Sequence, residues 1–169
     1  MHMYDFEDLA NDDMSDIHER LTACEERTDT LYTHARTRVA DIDGTPVGAL
    51  LSYPGELYKK LKEKTFREFW PAFFQQFSGD DPETDPGEYY LDSLAVLPAF
   101  RHQGIGRALM KDGMRIGQSL GFTRIALVAD SEMPHLVSLY ESLGFVREEH
   151  RHAFGTDFQR MVYRVFKER

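Results

Sequence analysis

The segment from Leu94 to Leu109 carries the residues best suited to bind a charged group. It runs from an apolar strand pattern through a basic loop with two glycines into a helical pattern. The N–H groups and the positive dipole end at such a helix start form a site for anions. Gly104 and Gly106 let a phosphate approach the backbone closely, and Arg107 adds positive charge. The cluster Arg101-His102-Gln103 beside this helix start indicates a pyrophosphate.

Two other phosphate-binding motifs fit this segment poorly. The Walker motif ends in Gly-Lys followed by Ser or Thr, and this ending is missing. The dinucleotide fingerprint requires a third glycine where Leu109 stands. The pattern Arg-x-x-Gly-x-Gly also occurs at ordinary helix starts, so taken alone it leaves a purely structural role open.

A second segment, Leu136 to Phe145, places Tyr140 in a short helical pattern that ends at Gly144. A tyrosine phenol can act as a general acid. The alternative is an ordinary core tyrosine on an amphipathic helix.

In the first part of the chain, the pattern predicts a helix and a β-hairpin. Residues Met14 to Glu26 have helical apolar spacing, and residues 11–13 offer N-caps. The strand-like segments Thr37 to Asp41 and Val47 to Tyr53 flank Asp43-Gly44, a pair typical of tight hairpin turns.

The next part combines aromatic and acidic residues. Between Glu56 and Phe77 an aromatic-rich helical pattern is interrupted at Pro71. We interpret its apolar stripe as core, with a ligand-facing wall as the alternative. The acidic stretch Ser78 to Gly87 predicts an exposed loop that either gates a site or merely connects elements. We expect one domain over residues 1–169, with an inserted helix and acidic loop at residues 55–87.

The second half of the chain alternates strand and helix. The predicted elements are a strand at Glu88–Val96, a helix at Gly104–Leu120, a strand at Thr123–Ala129, a helix from Pro134 to Gly144, and strands at Phe145–Glu149 and Gln159–Phe166. The first of these helices is expected to bury one side, formed by Ile105, Ala108, Leu109, Ile116 and Leu120. This order predicts a layered α/β (α+β) sheet with an antiparallel hairpin at each end.

Composition limits the classes of partner. The formal net charge of -9 argues against a nucleic-acid binder, because such binding relies on Lys and Arg against phosphates. An acidic surface suits a cationic acceptor, although it also simply maintains solubility. No apolar run approaches a membrane span and residues 1–10 lack a secretory pattern, so we expect a soluble, cytoplasmic protein without membrane contact.

Metal and thiol chemistry are not expected. His150 and His152 lie near two glutamates, but alternating residues on a strand rarely form a complete metal site. Cys24 is the single cysteine, so an internal disulfide is excluded. It also lacks a recognisable base, which disfavours a covalent thiol intermediate.

Together the two segments resemble the GNAT superfamily of N-acetyltransferases. The similarity lies in Arg101-x-x-Gly104-x-Gly106 after the strand with Leu94-Ala95-Val96, followed by Leu139-Tyr140 and Gly144-Phe145. It covers residues 35–166 and is most specific between Asp92 and Phe145. The resemblance implies a mixed, mostly antiparallel central β-sheet flanked by helices, with a splayed strand that binds acetyl-coenzyme A.

The resemblance also implies residue roles. The backbone of Leu94 to Val96 would pair with pantetheine, residues Arg101 to Arg107 would surround the pyrophosphate, and Tyr140 would protonate the departing thiolate. The implied cofactor-binding residues are Leu94, Ala95, Val96, Arg101, His102, Gln103, Gly104, Ile105, Gly106 and Arg107. Acetyl-coenzyme A would be a cosubstrate, without a metal.

The sequence departs from the family pattern at three positions. Met133 and Leu136 stand where the family often has Asn and Ala, and Val128 stands where protein N-terminal acetyltransferases carry a catalytic Glu. The general base is therefore open. Asp92 is the first candidate and Glu88 the second, each acting through water on an ammonium acceptor. The alternative for Asp92 is a solvated residue at a strand edge.

We therefore expect acetyl transfer to a primary amine of a small molecule or protein by direct attack. The alternative is a non-catalytic acyl-coenzyme A sensor or regulatory module, which the departures at Met133 and Val128 favour. The sequence leaves open whether the acceptor is a small amine, an amino acid, an antibiotic or a protein lysine. A homodimer is compatible with the resemblance. The little room before Met14 predicts that the usual first strand is missing.

Overall fold

The computed structural model describes residues 14–77, 79 and 81–166. The helices are α1 (Met14–Glu25), α2 (Tyr58–Phe69), α3 (Pro71–Phe77), α4 (Ile105–Ser119) and α5 (Pro134–Glu141). The strands are β1 (Thr37–Ile42), β2 (Thr45–Pro54), β3 (Tyr89–Val96), β4 (Arg124–Asp130), β5 (Val146–Ala153) and β6 (Thr156–Arg164). The N-caps predicted at residues 11–13 and the first strand predicted to be missing both fall outside the described residues.

The six strands form one sheet in the order β1-β2-β3-β4-β6-β5. Every neighbouring pair is antiparallel except β3 and β4, which are parallel. Hairpins therefore form both ends of the sheet, and the crossover through α4 joins its two central strands. The predicted mixed, mostly antiparallel sheet flanked by helices is confirmed.

Apolar residues cover both faces of the sheet. One layer, here called the α4/α5 layer, joins those helices to the sheet; it includes Leu50, Leu91, Leu109, Met110, Ile125, Leu127, Tyr140 and Phe145. The other, the α1/α2 layer, includes Cys24, Leu31, Tyr53, Leu61, Phe66, Trp70, Tyr90 and Val162. The aromatic stripe of α2 was interpreted as core. The burial of Phe66 and Trp70 within the α1/α2 layer confirms this. Pro71 separates α2 from α3 as predicted.

The buried face of α4 differs from the prediction. Its buried residues are Leu109, Met110, Gly113, Met114 and Gly117. Ala108 is exposed, and Leu120 is 60% exposed. The prediction used the spacing of apolar side chains, which does not include glycines. Two glycines of this helix, Gly113 and Gly117, nevertheless face the sheet.

Among the described residues, no helix combines the length and apolar character needed to cross a membrane.

Candidate active site

The two central strands separate partway along their length. Within the described residues, β3 and β4 pair at two positions, Tyr89 with Ile125 and Tyr90 with Ala126. Beyond them β3 continues to pair with β2 as far as Val96, which is opposite Gly48. The β4-facing edge of β3 therefore leaves backbone groups without strand partners there. Such an edge can accept an extended ligand.

Asp92 lies where β3 bulges, just beyond the last β3–β4 pair. Leu51 is opposite Ser93 and Ser52 is opposite Leu91, which leaves Asp92 between two register positions. Bulges of this kind redirect side chains and often occur beside active sites. The bulge therefore places a carboxylate at the start of the gap between β3 and β4.

The surroundings of Asp92 increase its basicity. The Tyr53 hydroxyl donates a hydrogen bond to Asp92 Oδ2 at 2.5 Å, and Ser93 Oγ donates to Oδ1 at 2.9 Å. Burial raises the pKa of Asp92, and these hydrogen bonds lower it by less, so the pKa stays above its usual value. A carboxylate of raised pKa is better suited to accept a proton.

The loop from Arg101 to Gly104 connects β3 to α4. His102 and Gly104 both adopt left-handed conformations, with φ of 62° and 83°. The Ala108 N–H donates to Gly104 O at 2.9 Å, which leaves the earlier N–H groups of the helix without intrahelical partners. Arg101 Nε donates to Val96 O at 3.1 Å and so ties the loop to the end of β3. This geometry fits an anion.

The structure brings the remaining predicted coenzyme residues to the same end of β3. A Cβ on Gly106 would lie 3.6 Å from Leu94 and 3.7 Å from Val96. His102, Gln103 and Arg107 are exposed. Arg107 lies on the side of α4 that faces α5, where it donates to Ser142 Oγ at 2.9 Å.

Tyr140 lies on α5 within the α4/α5 layer. The side chain is 4% exposed, and its ring forms a T-shaped contact with the Phe145 ring, with 6.2 Å between the centroids. Burial raises the pKa of Tyr140 to about 12. The phenol therefore keeps its proton at neutral pH, as a general acid must.

Glu88, the second candidate base, is held in buried ion pairs and not in a position suited to proton transfer. It is 2% exposed and forms ion pairs with Arg160 and Arg124. Burial raises its pKa, but hydrogen bonds from Arg160 and the Asp85 N–H outweigh that effect and lower it. A paired carboxylate of low pKa is a poor base, so Glu88 is the wrong candidate.

The prediction of an exposed acidic loop is wrong for its central part. Thr84 is 2% exposed and Glu83 is half-buried. The Tyr58 hydroxyl donates to Glu83 Oε2 at 2.9 Å, and burial raises the pKa of Glu83 to about 7, with the negative charge of Asp92 adding to the rise. Sequence reasoning missed Glu83 because nothing in a run of similar acidic residues distinguishes the buried one.

Cys24 and the pair His150 and His152 were considered for thiol and metal chemistry. The Cys24 thiol is fully buried, and that burial raises its pKa to about 11. It is therefore a poor nucleophile. Across the described ranges, the His, Cys, Asp and Glu side chains form no group of three or more able to hold a metal ion.

Comparison with protein families matches residues 3–145 to the acetyltransferase (GNAT) family. The chain belongs to this family. Among curated relatives of this GNAT chain, the mycothiol acetyltransferase of Renibacterium salmoninarum is 41% identical over 61 residues, which cover 36% of the chain and 18% of that relative. The chain thus matches less than a fifth of the relative's length.

Solved structures share the fold over most of the GNAT chain. A crystal structure of an acetyltransferase superposes with a TM-score of 0.77 at 25% identity, covering 94% of this chain and 85% of the other. An N-acetyltransferase from Staphylococcus aureus Mu50 gives a TM-score of 0.76 at 18% identity, over 92% and 85% of the two chains.

The structure also locates the departures from the GNAT pattern. Val128 is half-buried against the α1/α2 layer, so no carboxylate is available at that position of β4. Met133 precedes the first residue of α5, and Leu136 packs against the α4/α5 layer. Asp92 therefore remains the candidate base nearest the gap.

Proposed function

We propose that this protein transfers an acetyl group from acetyl-coenzyme A to a primary amine by direct attack. The observation that carries the proposal is the gap between β3 and β4, which begins beside Asp92 and opens toward the loop at the start of α4. An extended pantetheine can pair with the free edge of β3 while the pyrophosphate binds the N–H groups at the helix start. The predicted residues Leu94 to Val96 and Arg101 to Arg107 supply these contacts.

The side chains proposed to act lie on the two faces of the sheet. Asp92 contacts Tyr53 of the α1/α2 layer, whereas Tyr140 belongs to the α4/α5 layer. An acceptor entering from the α1/α2 side would meet the acetyl carbonyl in the gap. The helical region at residues 55–77 then forms the wall of the acceptor site.

The proposed reaction moves one acetyl group and balances its protons. Asp92 takes a proton from the acceptor ammonium, directly or through water, and the freed lone pair attacks the thioester carbon. Backbone N–H groups of β3 stabilise the oxyanion. When the carbon–sulfur bond breaks, sulfur keeps the electron pair and receives the phenolic proton of Tyr140. The amide nitrogen loses its remaining extra proton to solvent or to the tyrosinate.

A glycine substitution tests the coenzyme site. Gly104 has φ of +83°, and a Cβ there would meet no atom within 4 Å, so Gly104→Val strains the loop without an internal clash. Titration calorimetry should show acetyl-coenzyme A affinity at least ~10-fold lower than for the wild type.

The matched control lies at the opposite end of the same helix. Gly121 has φ of +90° and equally open surroundings, so Gly121→Val introduces similar strain. It should leave coenzyme affinity unchanged. Equal losses in both variants, or no binding by the folded wild type, would contradict the proposal.

A cytoplasmic location and a homodimer stay predictions.

A further inference from the structure

The two hairpins of the sheet have the same turn geometry but different residues in the turn. A two-residue turn joins β1 to β2 at Asp43-Gly44, with φ of 51° and 81°. Another joins β5 to β6 at Phe154-Gly155, with φ of 53° and 75°. Turns with two positive φ angles match the twist of the strands and favour Asn-Gly or Asp-Gly. A phenylalanine is therefore unexpected at the first position of the second turn.

Phe154 differs in type from the other residues in this backbone conformation. The non-glycine residues with positive φ in the described part of the chain are Asp43, His102 and Phe154. Asp and His adopt the left-handed region more readily than most residues, whereas a bulky side chain adopts it at a cost. Such strain persists where surrounding contacts compensate for it, and it often occurs at functional positions. The contacts of the Phe154 ring therefore indicate what this position serves.

The Phe154 ring connects the β5–β6 turn to α2 and α3. It stacks on the Phe73 ring of α3, with 5.5 Å between the centroids. The Lys62 Nζ of α2 lies 4.5 Å from the Phe154 centroid and 5.4 Å from the Tyr58 centroid. Aromatic faces attract cations through the ring quadrupole. Phe154 and Tyr58 therefore hold the Lys62 ammonium group at a defined place.

This place is close to the carboxyl groups of Glu83 and Asp92. The Tyr58 hydroxyl donates to Glu83 Oε2 at 2.9 Å, so one side chain contacts both Lys62 and Glu83. Burial raises the pKa of both carboxyl groups, and the Lys62 charge opposes that rise in each. Besides each other's charge, the two carboxyl groups face the hydroxyls of Tyr32, Tyr53, Tyr58, Tyr90 and Ser93. Because these hydroxyls are neutral, Lys62 supplies positive charge to both carboxyl groups.

We infer that Phe154 is a positioning residue for the proposed acetyl transfer: from a strained turn it holds Lys62 where the ammonium charge acts on Asp92 and Glu83. The inference rests on the proposed function and adds to it a residue of the β5–β6 hairpin. An asparagine would suit the turn better, but it would remove one of the two rings that hold Lys62. The strain at Phe154 therefore accompanies the need for a ring at this position.

The test measures the acidity of the carboxyl groups directly and requires no acceptor. The side-chain carboxyl carbons of Asp92 and Glu83 are titrated by NMR in the folded protein. Lys62→Met removes the charge and should raise both pKa values by about 0.5 pH unit or more. Phe154→Asn should raise them by less, because the charge remains on a side chain that is held less firmly. In the Lys62→Met background, Phe154→Asn should cause no further rise, since Phe154 acts through Lys62.

Two control variants separate this role from packing and from turn geometry. Phe154→Tyr retains the ring and should keep the wild-type pKa values. Asp43→Asn changes the matching position of the hairpin at the other end of the sheet and should also leave them unchanged. Circular dichroism verifies that each variant is folded. The acid limb of the kcat/KM profile, followed by thiol release from acetyl-coenzyme A with a primary amine, should move with the pKa of Asp92.

The outcomes distinguish this inference from the proposed function. Carboxyl pKa values that stay unchanged in Lys62→Met or in Phe154→Asn would overturn the inference and leave the proposed function standing. A further rise in the double variant would do the same, because Phe154 would then act independently of Lys62. Shifted pKa values with an unmoved kcat/KM limb would overturn both Asp92 as the base and the role of Phe154 in the reaction.

Discussion

At the scale of single residues, the chemistry depends on how the fold changes the acidity of three side chains. Burial raises the pKa of Asp92 and Glu83 toward values useful in proton transfer, and it keeps the Tyr140 phenol protonated. These effects have one physical origin, since a charged form loses hydration in an apolar layer. The roles proposed for the acid and the base therefore depend on position more than on residue type.

The Tyr53 hydroxyl is expected to set the pH at which the base becomes active. Its hydrogen bond lowers the pKa of Asp92, so Tyr53→Phe should raise that pKa. A base of higher pKa loses its proton at higher pH, and the acid limb of the kcat/KM profile should move upward by about one pH unit. The control is Tyr89→Phe, because the Tyr89 hydroxyl forms a hydrogen bond with Ser52 and not with Asp92. A limb that stays in place would exclude Asp92 as the base.

Tyr140→Phe separates an enzyme from a coenzyme sensor. The phenol is the proton source for the thiolate in the proposed reaction, so its loss should lower kcat by about 10²-fold or more. The ring is buried against Phe145 and is retained, so affinity for acetyl-coenzyme A should be unchanged in calorimetry. A wild type with no turnover to lose would favour the sensor.

At the scale of elements, α4 depends on two glycines to approach the sheet. A Cβ on Gly117 would lie 2.6 Å from Ile125 Cδ1 and 2.7 Å from the Tyr89 ring, and one on Gly113 would lie 2.6 Å from Leu50 Cδ2. No side chain fits between α4 and the sheet at these positions without movement. Because β3 carries Asp92 and α4 begins at the loop proposed to bind phosphate, this close contact fixes the distance between Asp92 and that loop.

Gly117→Ala should destabilise the protein even though alanine favours helices. Overpacking against a rigid ring costs about 2 to 3 kcal/mol, and helix propensity returns about 1 kcal/mol. Tm should fall by about 2 to 8 °C in thermal unfolding followed by circular dichroism. Gly106→Ala on the same helix would place its Cβ at an ordinary 3.6 Å, so its Tm should hold or rise. Equal Tm values for the two variants would contradict this account of the packing.

Elements were predictable where the chain contains local signals. The hairpin at Asp43-Gly44, the break at Pro71 and the strand–loop–helix around Gly104 were all located from sequence, because turn residues and periodicity act locally. The buried face of α4 was not, because glycines carry no hydrophobic signal. Glu83 was missed for a similar reason: its burial depends on Tyr58, which is 25 residues away.

At the scale of the whole molecule, a buried network of charges joins distant parts of the sheet. Arg160 on β6 is 1% exposed and forms ion pairs with Glu88, just before β3, and with Glu148 on β5. Arg124 on β4 contacts the same two carboxylates. Residues 88 and 160 are 72 positions apart, so no sequence window contains the pair. The network holds the end of the loop that carries Glu83.

Breaking this network at its centre should be costly. Arg160→Met leaves Glu88 buried without its closest counterion, which is expected to cost about 3 to 5 kcal/mol. At 2 to 4 °C per kcal/mol, Tm should fall by about 6 to 20 °C at pH 7. The control Arg38→Met removes an exposed pair with Asp112 and should cost below about 1 kcal/mol. Adding Glu88→Gln to Arg160→Met should recover part of the loss.

The pH dependence gives an independent check on the same network. Burial raises the pKa of Glu148, but hydrogen bonds from Arg164, Arg124 and Arg160 outweigh it and lower that pKa to about 2. A carboxylate with a lowered folded pKa stabilises the protein above its unfolded pKa of about 4.3, and this contribution is lost as pH falls toward 2. The Tm difference between wild type and Arg160→Met should therefore be full at pH 7 and shrink below pH 4. A difference that stays constant over this range would mean that Arg160 stabilises the fold by packing rather than by its charge.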